Sequence, residues 1–225
     1  MAASKAARIE IEPGVWLDTR RALFIEPLGA LVIADIHWGF AASHRLEGNL
    51  LPMWGDDQIA QTLLQLIKDY HPAEMIWLGD SLHRVTGCRI AEIFLREISV
   101  LPVAVSIVIG NHDRKWSIPA TTSLQRGKYF FHHGDRGLQE KPAGAVEVIG
   151  HFHPAVSLYD GAGARVRLPA LVQSPERLIL PAFSPWAAGA AWNENRAPGE
   201  KIWAVAPSRV FAVRFPQSPA RTVTS

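Results

Sequence analysis

The hydrophobic residues of the chain fall into short, β-rich runs, and several runs stop at a cluster of glycine, aspartate, asparagine or histidine. The clearest of these segments are ALVIADIHWG, EMIWLGD, VAVSIVIGNHD, KYFFHHGD and AVEVIGHFH. A short, continuous apolar run is typical of a strand that is buried on both faces. The pattern therefore predicts buried strands, each followed by a polar loop that can carry function.

Two segments between these runs have the spacing of amphipathic helices instead. In WGDDQIAQTLLQLIKDY the apolar residues recur every three or four positions, and Asp56 or Asp57 is available as an N-terminal cap. A second helix is predicted over about residues 86–99, before Pro102 opens the next strand. The residues predicted to form its buried face are Ile90, Ile93, Phe94 and Ile98.

The second half of the chain shows little helical periodicity. RVRLPALVQ, ERLILPAF, KIWAVAP and RVFAVRF are predicted strands joined by Pro, Gly and Ser turns, and RIEIEP, VWLDT and RALFIEP near the start are predicted strands as well. A four-layer α/β/β/α sandwich of two mixed sheets flanked by helices accommodates this alternation. We expect one domain over residues 1–225, with a loosely ordered tail from about Pro216.

Composition and charge restrict the functional classes. The formal net charge is only +2, so any affinity for nucleic acid must come from local clustering of cations. The single cysteine, Cys88, excludes an internal disulfide and a thiolate metal cluster, and it suits a reducing compartment. No apolar run reaches the length of a signal peptide or a membrane span. We therefore expect a soluble, cytoplasmic protein without a membrane partner.

Candidate chemistry lies where the apolar runs end. Five motifs occur in order: Asp35-x-His37, Gly79-Asp80, Gly110-Asn111-His112-Asp113, His133-Gly134 and Gly150-His151-x-His153. Loops that follow strand ends in an open α/β sheet converge on one crevice, so these motifs can meet. On an extended segment, alternate side chains point to the same side. Both side chains of Asp35-x-His37, and both of His151-x-His153, could then reach one pair of metal ions. Carboxylates, imidazoles and an amide without a thiolate suit Mn, Fe, Zn, Ni or Co.

Each motif alone has an ordinary structural explanation. Gly-Asp is a common turn dipeptide, Asn111 beside Gly110 suits a turn, and a single histidine such as His133 is more often buried and hydrogen-bonded than a ligand. The chain has only nine histidines, yet all five motifs follow one another at predicted strand ends. This joint occurrence favours a metal site.

The ordered set resembles the calcineurin-like metallophosphoesterase superfamily, and the resemblance extends over about residues 31–154. The segments ADIHWGFAASHRLEGNLLP, GDSLH, GHFHPAV, VRLPALVQ and LILPAF resemble more narrowly the bacterial DNA-ligase-associated, or ICC-like, metallophosphoesterases. Two departures are SPWAAGAAWN, where a glycine-richer segment is expected, and HHGD, where many members have HGH. They leave the loop shape and the substrate open.

The resemblance implies two divalent metal ions, with Mn expected and Fe, Zn, Ni or Co as alternatives. Two adjacent cations lower the pKa of a shared water and stabilise the reacting phosphate oxygens. The implied ligands are Asp35, His37 and His153 for the first metal, Asn111, His133 and His151 for the second, and Asp80 as the bridge.

Other residues have expected roles around these metals. His112 is expected to bind the phosphoryl group and protonate the leaving oxygen, and Asp113 to orient His112 or raise its pKa, with an ordinary surface carboxylate as the alternative. Of the eight tryptophans, Trp38, Trp116 and Trp186 fall near the motifs, and packing is favoured over base stacking. Substrate contacts are expected from His83, Arg84, Arg114, Lys115, Arg136 and Arg45.

The resemblance implies a phosphodiesterase or endonuclease that acts on DNA in repair, together with a ligase or helicase partner. The same metal set also serves a phosphatase or phosphodiesterase for nucleotides or other small molecules. A third alternative is a non-catalytic interaction module with the same fold. The complete ligand set and His112 argue against the module.

Overall fold

The computed structural model describes residues 7–136, 141–159, 161–187, 189–193 and 196–215. The expected tail from about Pro216 lies outside these residues, and the expectation of one domain over the whole chain stays a prediction. None of the described helices is long and apolar enough to cross a lipid bilayer.

The first sheet has six strands in the order β1-β2-β3-β4-β5-β6. β1 to β4 form antiparallel pairs, and β4, β5 and β6 run parallel to one another. The carboxyl ends of these three parallel strands therefore open at the same edge. The strands are β1 (Arg8–Glu12), β2 (Val15–Asp18), β3 (Leu23–Ile25), β4 (Ala30–Ala34), β5 (Glu74–Leu78) and β6 (Ala104–Val108).

The second sheet has nine strands and is also mixed. Its main path runs β13-β10-β11-β12-β9-β8-β7, and β14 pairs with β11 and β15. β8, β9 and β12 are parallel neighbours, whereas β10 and β11 are antiparallel. The strands are β7 (Ser123–Arg126), β8 (Tyr129–His132), β9 (Val146–Ile149), β10 (Pro154–Tyr159), β11 (Arg165–Ser174), β12 (Arg177–Ile179), β13 (Ala190–Ala191), β14 (Lys201–Ala206) and β15 (Arg209–Ala212).

The central strand β4 shows why its sequence is continuously apolar. Val32 and Ala34 point into the core between the two sheets, while Leu31 and Ile33 point into a second core beneath the helices. All five residues of the strand are buried, because both faces of the first sheet are covered. The predicted burial of this strand on both faces is confirmed.

Three α-helices are present in the described residues: α1 (Phe40–Leu46), α2 (Gly55–Tyr70) and α3 (Cys88–Ile98). The predicted helix α2 is confirmed, and its buried residues include Ile59, Leu63 and Leu66. The predicted cap is wrong, because no side chain caps α2. The Asp56 carboxylate instead accepts hydrogen bonds from the backbone N–H of Gly39, at 3.1 and 3.3 Å.

The buried face of α3 differs from the predicted one. Phe94 and Ile98 are buried as predicted, together with Ala91. Ile90 and Ile93 are 38% and 46% exposed, so their predicted burial is wrong. Ala91, Phe94 and Ile98 lie at spacings of three and four residues, and this narrower stripe contacts the sheet.

The predicted sandwich of two mixed sheets is confirmed, and its described helices flank the first sheet. α2 and α3 pack on the outer face of the first sheet. In the described part of the chain, no helix covers the outer face of the second sheet. Trp192, Phe211 and Phe215 pack there instead, against buried residues such as Val156 and Ile202.

Candidate metal centre

The loops that follow β4, β5, β6 and β9 are joined by hydrogen bonds at one edge of the sandwich. The backbone N–H of His37 donates to the carbonyl of Asp80 at 2.9 Å. The backbone N–H of His112 donates to the Asp80 carboxylate at 2.9 Å, and that of His151 donates to the Asp35 carboxylate at 3.0 Å. The motifs that are far apart in sequence therefore share one crevice.

The backbone at this crevice adopts an uncommon conformation. Five expected metal ligands have positive φ angles, at 55° for Asp35, 52° for His37, 47° for Asp80, 67° for His151 and 44° for His153. Residues other than glycine rarely occupy this left-handed region, and such residues cluster at functional sites. The expectation that Asp35-x-His37 and His151-x-His153 lie on extended backbone is therefore wrong. Tight turns, rather than strand alternation, bring their side chains together.

The first cluster contains Asp35, His37 and His153, whose potential ligand atoms all lie within 4.8 Å of one another. His153 Nε2 is 3.2 Å from Asp35 Oδ1, and His37 Nε2 is 3.4 Å from His153 Nε2. Asp35 is fully buried and His37 is nearly so. These are the three residues that the resemblance assigns to the first metal.

The second cluster contains Asp80, His133 and His151, again with ligand atoms within 4.8 Å of one another. His133 Nδ1 contacts the carbonyl of Leu78 at 3.2 Å, and a carbonyl only accepts, so Nδ1 carries the proton. His133 Nε2 is therefore directed at the centre, 3.3 Å from Asp80 Oδ2. The cluster contains the expected bridge and two of the three ligands of the expected second metal.

Asn111, the third expected ligand of that metal, has a buried Oδ1 atom without a hydrogen-bond partner among the described residues. A buried amide oxygen without a partner is costly, and a cation would remove that cost. With the carboxylates and imidazoles beside it, the set of donor atoms fits divalent cations of the borderline to hard class.

Two glycines allow the ligands to approach the backbone closely. A Cβ atom on Gly79 would lie 2.0 Å from His133 Nδ1, and one on Gly110 would lie 2.2 Å from Asp80 Oδ1. Gly79 also has a φ of +76°, which disfavours other residues. The glycines of both motifs are thus required by the positions of the ligands.

The protonation of the ligands reflects their burial and their partners. Burial opposes ionisation of Asp80, but hydrogen bonding and charge from His133 outweigh it and lower the pKa of Asp80 to about 2. Burial opposes protonation of His133, but Asp80 and Asp35 raise the pKa of His133 to about 9. Burial lowers the pKa of His37 to about 4 despite both carboxylates. Metal binding would displace the second proton of His133, because a metal ligand must offer a deprotonated nitrogen.

His112 lies at the open side of the centre. Its side chain is 35% exposed, and its Nε2 is 3.9 Å from Asp80 Oδ2. Its Nδ1 lies 2.8 Å from the carbonyl of His83, which can only accept and therefore fixes Nδ1 as a donor. Nε2 is left facing the expected metal ligands.

Asp113 does not contact the ring of His112, contrary to the expected orienting role. The Asp113 carboxylate is buried and accepts backbone N–H groups from Leu82 at 2.9 Å, Gly110 at 3.1 Å and Ser81 at 3.2 Å. It therefore ties the loop after β5 to the loop after β6. The carbonyl of His83 takes the orienting position instead.

His83 belongs to a third cluster, with His37 and His112, in which ligand atoms also lie within 4.8 Å. Its ring stacks on that of His112 at 5.5 Å and lies 4.6 Å from the ring of Phe40. Burial, followed by the charges of His112 and His44, lowers the pKa of His83 to about 4. The motifs alone did not identify Phe40. Its position shortly after Asp35-x-His37 was the available signal.

Three of the arginines expected to contact the substrate lie beside acidic residues that partly neutralise their charge. Arg114 and Arg136 each lie 3.9 Å from the Asp135 carboxylate. Arg84 forms an ion pair with Glu47. Neither acidic residue was identified from the sequence, because nothing in its local pattern marks it as a partner.

Arg45 and Lys115, the two remaining residues expected to contact the substrate, differ in their partners. Arg45 donates from Nη1 to the carbonyl of Leu51 at 3.2 Å. Lys115 is exposed and has no hydrogen-bond or ionic partner in the part of the chain that the structure describes.

The tryptophans near the motifs have packing roles. Trp38 is fully buried and Trp116 is 7% exposed, which confirms the prediction for these two residues. Trp186 stacks on Phe40 with an interplanar angle of 9° and lies 4.8 Å from Trp54, which is 49% exposed.

A family model described as calcineurin-like phosphoesterase matches residues 30–176, which is more than half of the chain. The chain belongs to the calcineurin-like phosphoesterase family. The match includes every expected metal ligand from Asp35 to His153. Members of the family bind divalent metals, and the His and Asp clusters of this phosphoesterase-family chain can hold them.

Solved structures resemble this calcineurin-like chain. The nuclease MPE from Pseudomonas putida is 22% identical with a TM-score of 0.68, and the alignment covers 93% of this chain and 100% of MPE. Yfce, a phosphoesterase from E. coli, is 18% identical with a TM-score of 0.44, and the alignment covers 82% of this chain and 97% of Yfce. The likeness to MPE shows a shared fold. No curated protein sequence matches the chain significantly.

Proposed function

We propose that this chain is a dinuclear, metal-dependent phosphodiesterase that cleaves DNA as an endonuclease. The observation that carries the proposal is the pair of adjacent Asp and His clusters at one crevice, with His112 Nε2 facing them. A non-catalytic module needs neither the costly backbone at the ligands nor an exposed imidazole directed at them.

The proposed ligands follow the two clusters and the buried amide oxygen. When bound, the two cations would supply an activated water and neutralise charge on the phosphoryl oxygens. Manganese is the proposed metal. The first ion would be held by Asp35, His37 and His153, the second by Asn111, His133 and His151, and both by Asp80.

His112 would bind the phosphoryl group and donate a proton to the leaving oxygen. The carbonyl of His83 keeps Nδ1 as a donor and prevents the ring from turning, so Nε2 is the atom that would hold the transferred proton. Asp113 would act indirectly, because its three backbone hydrogen bonds hold the loops that present Asp80 and His112.

DNA as the substrate is supported by the exposed cations after the motifs and by the fold shared with a protein described as a nuclease. The proposed contacts to backbone phosphates come from His83, Arg84, Arg114, Lys115, Arg136 and Arg45. A role in repair beside a ligase or helicase, and a cytoplasmic location, belong to the proposal through the family resemblance.

A phosphatase or phosphodiesterase for nucleotides or other small esters is the second candidate. It is favoured by the ion pairs that already occupy Arg84, Arg114 and Arg136. A small ester needs only one or two free cations, whereas a DNA strand needs several.

A substrate panel tests the proposal. Protein depleted of metal and reloaded with Mn would be incubated with an aryl phosphodiester, an aryl phosphomonoester, common nucleotides, single-stranded DNA and duplex DNA. We expect hydrolysis of the diester and of DNA, and none in chelator. Undiminished turnover by protein shown by elemental analysis to be metal-free would contradict the metal mechanism. Intact DNA with rapid turnover of a nucleotide would select the second candidate.

A further inference from the structure

A cleft of about 410 Å³ lies beside the metal centre and contains none of its expected ligands. Its walls come from the turn between β2 and β3, from α2, from the start of β11, from the segment around Phe183, and from the end of β14 with the turn that follows it. Three arginines line it, namely Arg20, Arg21 and Arg167. Among the described residues, no aspartate or glutamate lines the cleft.

The cleft opens at the same edge of the first sheet as the metal centre. β3 is antiparallel to β4, so the turn before β3 lies near the end of β4, where Asp35 follows. The segment around Phe183, which forms another wall, is hydrogen-bonded to the end of β4 and to Asp35. The backbone N–H of Phe183 donates to the carbonyl of Ala34 at 2.7 Å, and that of Ser184 donates to the carbonyl of Asp35 at 3.1 Å.

Arg21 is a largely buried cation without a carboxylate partner in the described part of the chain. Its Nη1 donates to the carbonyls of Ser184 at 2.7 Å and Ala182 at 3.4 Å. No described residue accepts from its Nε or Nη2. Burial lowers the pKa of Arg21, with no opposing contribution from an acid. Within the part of the chain that the structure describes, the Nε and Nη2 donors of Arg21 thus have no carboxylate to bind.

The two other arginines differ in their partners. Arg20 is neutralised by Asp18 at 2.8 Å and by Asp69 at 2.7 Å. Arg167 lies near the start of β11, is exposed, and donates only to the carbonyl of Gly189 at 3.4 Å among the described residues. Among the described residues, Arg21 and Arg167 therefore have no acidic partner, and both carry a positive charge at the cleft.

We propose that the cleft binds the phosphate group of a nucleotide, either free or as part of a nucleic-acid strand. Guanidinium groups are the side chains best suited to phosphate, because several N–H donors match its oxygens. Apolar wall residues, including Leu168, Phe183 and Pro185, would pack against the sugar and base. Where the phosphate belongs to a strand that extends from the metal centre, this inference rests on the proposed function.

The test titrates thymidine 5′-monophosphate and a five-nucleotide thymidine strand into the full-length protein in chelator, so that no metal holds the ligand. Binding is followed by the NMR signals of arginine Nε–H groups, with the Arg21 signal identified by its loss in Arg21→Lys. We expect a saturable shift of the Arg21 signal. Arg167→Gln should raise Kd about tenfold, the effect of removing one charged hydrogen bond.

Arg96→Gln is the matched control, because it removes the same charge from the exposed last turn of α3. Its Kd should equal that of the native protein. A shift that does not saturate, or an unchanged Kd in Arg167→Gln, would overturn the inference. Tighter binding of the strand would assign the phosphate to a strand, and equal binding would assign it to a free nucleotide. Failure of the proposed function would appear separately, because this titration needs neither metal nor turnover.

Discussion

At the scale of single residues, His112 is the side chain that we propose as the general acid. Its ring is fixed through Nδ1 by the carbonyl of His83, while its backbone N–H donates to the Asp80 carboxylate. The role of the ring can therefore be separated from that of the backbone, since a substitution removes the ring and keeps the hydrogen bond from the backbone N–H to Asp80.

His112→Ala is expected to lower kcat of the Mn-loaded protein by about 10² to 10⁴, the usual contribution of a general acid. Metal content should stay near that of the native protein, because the backbone hydrogen bond to Asp80 survives. Steady-state kinetics and elemental analysis on the same preparation test this. His71→Asn, at the exposed end of α2, is the control. Loss of a metal ion in His112→Ala would show that His112 is a ligand.

Gly79→Ala should disturb the centre beyond the ordinary cost of a left-handed residue. The new Cβ would lie 2.0 Å from His133 Nδ1, so the imidazole must move. The control is Gly144→Ala, whose φ of +74° is similar but whose Cβ meets nothing within 4 Å. Both should lose about 1 to 2 kcal/mol in the free energy of unfolding from backbone strain. Only Gly79→Ala should also lose metal affinity, and equal metal titrations for the two variants would refute this account of Gly79.

At the scale of elements, Asp113 connects two loops that follow neighbouring parallel strands. Asp113→Asn replaces one accepting oxygen by a donor among three backbone N–H groups. The free energy of unfolding should fall by about 1 to 3 kcal/mol, measured by urea denaturation of the metal-free protein. Asp57→Asn, exposed in the first turn of α2, is the control. Unchanged stability with a large fall in kcat would instead make Asp113 a catalytic residue.

The positions of the strands along the chain and their burial could be predicted, because continuous apolar runs such as ALVIA require cover on both faces. Motif order also placed Asp35, Asp80 and His151 at one edge. The left-handed backbone of these residues could not be predicted, because contacts between distant loops stabilise it. The same holds for Asp113, whose three partners are set by how the loops pack.

The helices, too, were predicted correctly in part and wrongly in part. Periodicity was sufficient for α2, but it misassigned Ile90 and Ile93 of α3, which are exposed. Periodicity marks the apolar side of a helix, but it does not show how wide a stripe of that side contacts the sheet, here Ala91, Phe94 and Ile98. The pairing of β14 with β11 was likewise not encoded in any local pattern.

At the scale of the whole molecule, the small net charge makes the distribution of cations decisive for DNA binding. In a metal-loaded His112→Ala protein, which would bind without cleaving, log K for single-stranded DNA should fall linearly with log salt. Arg114→Ala with Lys115→Ala should flatten the slope by about 0.7 for each backbone phosphate that the protein no longer neutralises. Arg96→Ala is the control. Absence of DNA binding at low salt would contradict the DNA substrate.

We propose that two metal ions occupy adjacent positions held by the named ligands. Anomalous diffraction from crystals grown with Mn tests it most directly. We predict two peaks per chain, one among Asp35, His37 and His153 and the other among Asn111, His133 and His151, with the Asp80 carboxylate contacting both. A single peak, or a peak among His37, His83 and His112, the third cluster of potential ligands, would contradict the account.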